Sequence, residues 1–315
     1  MNQLPFIKYI LCFFLCLPAL LTAQADSLIM EVSPKLNDGT LWRQQSDINA
    51  GRLMIGGGAI LVADALGLMK LKETWYNDKR GKFHAVNWET DLRRWHQMDK
   101  IGHAVHCAFA SDLFSKVYRW SGFSAGSSIW MGSLTGWLWL LQIEITDGFF
   151  ERWGFSWGDL IGNTAGAGFS ALRQYFPDQF GGLRLKVSYH TSLAFQQKLY
   201  YRPEITMIDD YEGITFWFAA NIYDMLPRAW QRGYPSFLKP FGLAIGQTVK
   251  GVALNSLGGY REIMLSIDLD LTKIPLGPLD KYGIVRFIKD ELNFLKMPMP
   301  TVRLTGERVY YGFYF

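Results

Sequence analysis

The chain has 315 residues, 49% of them hydrophobic and only 19% charged, with 22 Phe, 15 Tyr and 12 Trp. That composition excludes a disordered chain, and the length removes any need for disulfide staples. A net charge of +4 over so many residues leaves no electrostatic footprint for nucleic acid.

Residues 1–25 read as a secretory signal peptide. Lys8 precedes an apolar run from Tyr9 to Leu21, and Ala23-Gln24-Ala25 supplies the small residues of a cleavage site. Cys16 follows Phe13-Phe14-Leu15 instead of the small residues lipidation requires, so no lipid anchor is expected there. Cleavage leaves Cys107 as the single cysteine, a buried inert thiol by expectation. The protein is expected in a bacterial cell envelope.

Residues 26–180 are expected to form a membrane-associated helical bundle. Four stretches carry helical periodicity at roughly spanning length: Leu53–Met69, Ile101–Tyr118, Ser124–Ile145 and Trp157–Phe176. Each is interrupted by polar groups: Asp64 in the first, His103, His106 and Asp112 in the second, Glu144 in the third, Asp159 and Asn163 in the fourth. At membrane depth such groups must face one another or a wet cavity. Ser124, Ser128, Gly132 and Gly136 recur every four residues, as do Gly158, Gly162, Gly166 and Ser170. That spacing makes a shallow groove in which helix backbones approach closely. The connection from Lys70 to Lys100 carries eight Lys or Arg residues, which suit either the cytoplasmic side of a spanning bundle or contact with anionic headgroups.

Residues 181–315 change period and read as β-rich. Leu183–Tyr189 alternates apolar and polar residues, and Gly213–Tyr223, Gly242–Val252 and Tyr260–Thr272 are further strands separated by turn residues. Tyr282–Leu295 is amphipathic and ends at Met297-Pro298-Met299-Pro300. Val309, Tyr311, Phe313 and Phe315 alternate along a last strand that resembles the terminal strand of outer-membrane barrels, which favours the outer over the inner membrane. Five or six strands are too few for a lone closed barrel, which takes at least about eight. The fold class is therefore α+β, with about four membrane-associated helices followed by a β-rich C-terminal region.

Three polar pairs fall at helical spacing: Asp99 with His103, Glu144 with Asp147, and Asp159 with Asn163. His103, Asp99, Glu144 and Asp159 are the candidate catalytic groups, and Lys100, Asp147 and Asn163 the candidate binding or structural groups. Three helices that each present a carboxylate, one with an imidazole, can gather a metal, a proton relay or a general base. They can equally cap helix ends and lock helix contacts. The pattern names no particular metal or cofactor. Gly122-Phe123-Ser124-Ala125-Gly126 matches a nucleophile-elbow string but follows a helical stretch, so a helix–helix turn is expected.

The strings Asp99-Lys100-x-x-His103, Glu144-x-x-Asp147-Gly148 and Ser156-x-x-Asp159-x-x-x-Asn163-x-x-Gly166 resemble domain-of-unknown-function family 2279, described as predicted periplasmic lipoproteins. Their order is also similar, more distantly, to VanZ-like membrane proteins. The resemblance implies a site at these positions and no reaction. The primary expectation is an envelope protein that binds or organises membrane lipid or an envelope protein partner through the polar cluster. The alternative is a metal- or His-dependent enzyme acting on a lipid or lipid-phosphate headgroup.

Overall fold

The computed structural model describes residues 46–200 and 205–314. The expected signal peptide and Phe315 lie outside the described residues.

Among the described residues, five helices of six or more residues precede the sheet. Helix α1 spans Ala50–Thr74, α2 Trp88–Arg93, α3 Met98–Trp120, α4 Ala125–Asp147 and α5 Trp157–Tyr175. Four of the five start at side-chain caps, since Asn49, Asn87, Ser124 and Ser156 each accept a backbone N–H from the first turn. Ser124 is thus a cap in a helix–helix turn, as its context predicts. Helix α3 lies at the centre. The groove residues of α4 and α5 meet its backbone: a Cβ on Gly132 would stand 2.3 Å from the Ser115 nitrogen, and one on Gly162 2.5 Å from the Lys100 oxygen. Cys107 is buried and free in the apolar layer between these helices.

The expectation of about four membrane-associated helices at spanning length is corrected: among the described residues one helix, α1, is a candidate span, long and apolar enough to cross a membrane by length and composition. The polar residues that α3 and α5 turn toward each other, and the Gly and Ser residues that let helices approach, dilute the hydropathy of the other three. Asp64, in the middle of α1, accepts from Trp139 Nε1 and Gln142 Nε2 of α4, so the interrupting carboxylate faces the bundle.

Helix α3 is aimed by an unusual entrance. Trp95, His96 and Gln97 all have left-handed backbone (φ 45°, 51° and 64°), a conformation that costs non-glycine residues about 1–3 kcal/mol each. The sheet holds them there: Trp95 N donates to Ser256 O, and Gln247 Nε2 donates to His96 O at 3.0 Å. The strained turn therefore ties the start of α3 to the second half of the chain.

That half is one six-stranded antiparallel sheet in meander order: β1 Leu183–Tyr189, β2 Ile214–Asn221, β3 Phe241–Lys250, β4 Tyr260–Leu269, β5 Met299–Arg303 and β6 Tyr310–Tyr314. Helix α6, Gly283–Leu292, precedes β5. The outer edge of β1 is closed by Phe294–Lys296, with Val187 N donating to Phe294 O at 3.0 Å and Lys296 N to Val187 O at 2.9 Å. On one face Lys186 pairs with Asp268 at 2.8 Å and Arg303 with Glu262 at 2.6 Å, around Trp217, Met264 and Tyr314.

The opposite face is apolar. Cross-strand register places Leu185, Phe218, Ile245, Leu265, Val302 and Tyr310 in one row across all six strands. Near β1 this face packs on α3 through Met98, Val105, Val187 and Phe216. Farther out, Phe218, Leu243, Ile245, Leu265 and Ile267 are exposed.

The expected face of the last strand is corrected. A register shift between Met299 and Thr301 pairs Thr301 with Tyr311 and Met299 with Tyr314, so β6 carries one extra residue. Tyr311 and Tyr314 both reach the Trp217 cluster, while Phe313 points outward, 72% exposed.

Candidate functional site

The three polar pairs converge where α3, α4 and α5 meet α2. Lys100 extends from the first turn of α3 into three carboxylates, at 2.5 Å from Asp91 Oδ1, 2.9 Å from Asp99 Oδ2 and 3.2 Å from Asp159 Oδ1. Ser156, the cap of α5, donates its hydroxyl to Asp91 and accepts from the Asp159 backbone N–H, and Gly158 N also donates to Asp91. Asp91 thus serves the α5 N-terminus as a second cap, where the helix dipole favours an anion.

Beside this group, His103 Nδ1 lies 3.0 Å from Asn163 Oδ1. Its Nε2 faces Glu144 Oε1 at 3.4 Å and Asp159 Oδ2 at 4.0 Å. Glu144 Oε2 accepts from the Ser156 backbone N–H at 3.2 Å. Asp147, at the end of α4, accepts from the Tyr76 hydroxyl at 2.6 Å. Asp99, Lys100, His103, Glu144, Asp159 and Asn163 therefore form one contiguous constellation. Asp147 sits at its edge, one turn along α4 from Glu144. His106 turns elsewhere, its Nδ1 bonded to Gly102 O and its ring against Phe216 and Phe294.

Carboxylates outnumber cations here, and burial raises the proton affinity of Glu144, Asp99 and Asp147. Desolvation, reinforced by Asp159 and Asp147, pushes Glu144 far above the ordinary carboxylate range. Burial also pushes Asp99 up to about 7 against the pull of Lys100. Burial works against charge on Lys100, but Asp99 and Asp159 overcome it and hold the ammonium above its usual range. Two groups of ligand atoms lie within 4.8 Å of one another at this locus, His103–Glu144–Asp159 and Asp91–Asp99–Asp159. The second encloses the Lys100 ammonium.

Asp147 gives a pH test. Burial pushes its carboxyl up to about 7, partly offset by the Tyr76 hydrogen bond. Between the unfolded value near 4 and the folded value near 7, the folded state holds a proton that the unfolded state has lost. Wild-type stability therefore falls as pH rises through that window. Asp147→Asn keeps an acceptor for Tyr76 and removes the titration. The variant is expected to be more stable than wild type by about 2 kcal/mol at pH 8, with the gain gone near pH 4. Urea unfolding at both pH values reads the difference; a constant difference would refute it.

Two participants carry no distinguishing mark in the sequence. Asp91 is 3% exposed at the hub of the lysine cluster, yet it sits among basic residues like any solvated acid. Its only signal is a place in the first turn after the Asn87 cap. Tyr76 lies just beyond α1 with no motif around it. Lys100, by contrast, is one of the eight basic residues of the connection, and its burial removes it from contact with headgroups. A cleft of about 820 Å³, lined by Lys116, Arg173, Arg184, Arg228 and Lys273 among others, shares no residue with the constellation.

A family profile described as predicted periplasmic lipoprotein (DUF2279) matches residues 88–175, the stretch that contains every member of the constellation except Tyr76. That description fits an exported protein of the cell envelope and assigns no activity. No curated protein and no solved structure matches the chain.

Proposed function

We propose that this is a cell-envelope protein that docks on a lipid bilayer, the outer membrane in preference to the inner, and that its buried constellation locks together the helices presenting the docking surface. The observation that carries this reading is the six-strand apolar row, Leu185 to Tyr310, with ion pairs on the opposite face. A sheet that faces water on one side keeps its apolar residues inside and its charges outside. Apolar residues outward and polar residues inward are the arrangement of strands that meet lipid. The helical half agrees: Met54, Leu61, Val62 and Met69 of α1 and Trp130, Leu134 and Leu138 of α4 stand exposed. Burying each such side chain in hydrocarbon is favourable by about 1.5–3 kcal/mol.

Ile245→Glu with Leu265→Glu is the direct test. Both residues are half-exposed, at 50% and 40%, so unfolding free energy should change by no more than about 0.5 kcal/mol per site. Association with vesicles of phosphatidylethanolamine and phosphatidylglycerol, read by flotation, should fall at least tenfold. A folded double variant that floats like wild type would end this reading.

The convergence of His103, Glu144 and Asp159 supports a second reading, a His- or metal-dependent enzyme acting on a lipid or lipid-phosphate headgroup. Headgroup release by wild type that His103→Ala abolishes without unfolding would favour it over the scaffold.

A further inference from the structure

Two acidic groups in this protein already enclose a cation of their own. Asp91, Asp99 and Asp159 surround the Lys100 ammonium. Asp112, Asp290 and Glu291 surround the Lys116 ammonium at 2.7, 2.5 and 2.5 Å. A third group, His103, Glu144 and Asp159, gathers ligand atoms just as closely. Among the described residues no Lys or Arg forms an ion pair with Glu144, whose side chain is 1% exposed.

We propose that this third group binds one divalent transition-metal ion of zinc-like preference, with His103 Nε2, Glu144 Oε1 and Asp159 Oδ2 as ligands. The proposal is independent of membrane docking and rests on three features. The first is the imidazole tautomer. Asn163 Oδ1 is an acceptor, so the imidazole donates from Nδ1 and keeps the lone pair on Nε2. That lone pair points at Glu144 Oε1, a buried oxygen with no hydrogen-bond donor. An acceptor oxygen on the far nitrogen is the usual way a protein orients a metal-binding histidine, and the Asn163 amide oxygen takes that place here.

The second is spacing. A charge-assisted hydrogen bond closes to about 2.7–2.9 Å, whereas Nε2 stands 3.4 and 4.0 Å from the two carboxylate oxygens. Tetrahedral bonds of about 2.0–2.2 Å set ligand atoms about 3.4 Å apart. The third is the outer shell. The remaining oxygens are held from behind, Glu144 Oε2 by Ser156 N and Asp159 Oδ1 by the Lys100 ammonium. The His103 and Asp159 side chains keep 19% and 12% exposure, leaving a fourth position for water and a route for the ion.

The test is Zn2+ titration by calorimetry on the full chain stripped with chelator, with Co2+ absorption as a second readout. One equivalent of Zn2+ per chain is expected, and a Co2+ spectrum of a tetrahedral nitrogen–oxygen site. Asn163→Ala should weaken binding about 10–100-fold, as loss of an orienting partner does, and Glu144→Gln by more. Asp112→Asn, in the lysine-filled group, should leave binding unchanged. Absence of stoichiometric uptake overturns the proposal, as does equal uptake by a folded Glu144→Gln or equal loss in Asp112→Asn. Should Glu144→Gln fail to fold, the wild-type Co2+ spectrum decides: weak octahedral absorption or a thiolate band from Cys107 overturns the site.

Discussion

Lys100→Met is expected to destabilise the protein by about 3–5 kcal/mol at neutral pH, the cost of leaving buried charges without their partner. The ammonium is the common counterion of Asp91, Asp99 and Asp159, and its side chain is 10% exposed. Methionine fills much of the same volume, so the loss is electrostatic and not a cavity. Asp99, which burial already pushes up against the pull of Lys100, then loses that pull. A carboxyl whose folded value rises above its unfolded one favours the folded state at low pH and penalises it above the folded value. The deficit against wild type should therefore shrink as pH falls toward 5. Adding Asp91→Asn should recover part of the loss at pH 7, because one fewer buried charge then lacks a counterion. Since whole domains are stable by only about 5–15 kcal/mol, the single variant should unfold at clearly lower urea. Equal midpoints for wild type and Lys100→Met at pH 7 would show that the lysine does not hold the cluster.

The same cluster shows what was legible in the sequence and what was not. Asp99–His103, Glu144–Asp147 and Asp159–Asn163 were readable as pairs because helical spacing puts them on one face. Their convergence was implied by the small-residue repeats of α4 and α5, which allow backbones close enough for short side chains to meet. Asp91 was not readable, because a short helix docking through tertiary contacts leaves no periodic trace. Alternation placed β1, and turn residues bracketed β2, β3 and β4. Strand β5, Met299–Arg303, was not readable because it begins in the Met-Pro-Met-Pro run that reads as a helix end. Helix ends fell within a few residues of their caps. Two inferences failed for identifiable reasons. Spanning length was counted for four helices, but α3 and α5 spend their inward faces on ionisable groups, and among the described helices only α1 keeps enough apolar residues. Strict alternation was assumed through the last strand, and the bulge at Gly312 and Phe313 puts Tyr314 on the same face as Tyr311.

The left-handed Trp95–Gln97 turn joins the helical half of the chain to the sheet. It is held by Gln247 of β3 and by Ser256 and Gly258 of the β3–β4 connection, and it sets where α3 begins. Lys100 and His103 lie in the first two turns after it. The sheet that presents the apolar row thus also positions the ionisable residues of α3.

The second large effect concerns α5, where two glycines only two residues apart should respond with opposite sign. Alanine is the better helix former by about 1 kcal/mol, so Gly→Ala in a helix stabilises unless something stands in the way. At Gly168 nothing lies within 4 Å of the added carbon. Gly168→Ala should therefore raise stability by about 0.5–1 kcal/mol. At Gly166 the added carbon would lie 2.2 Å from the Ala104 oxygen and 3.0 Å from the Ala108 nitrogen, both backbone atoms of α3. Backbone cannot rotate aside as a side chain can, so α5 must move away from α3. Overpacking of this kind costs about 1–3 kcal/mol and occasionally more, which exceeds the gain in propensity. Displacing α5 also draws Asp159 and Asn163 away from Lys100 and His103, so the loss should reach about 3 kcal/mol, with Zn2+ uptake lost in the same variant. Urea midpoints of the two variants, measured side by side, check the sign. If Gly166→Ala stabilises as Gly168→Ala does, the close approach of α3 and α5 that assembles the cluster does not exist in solution.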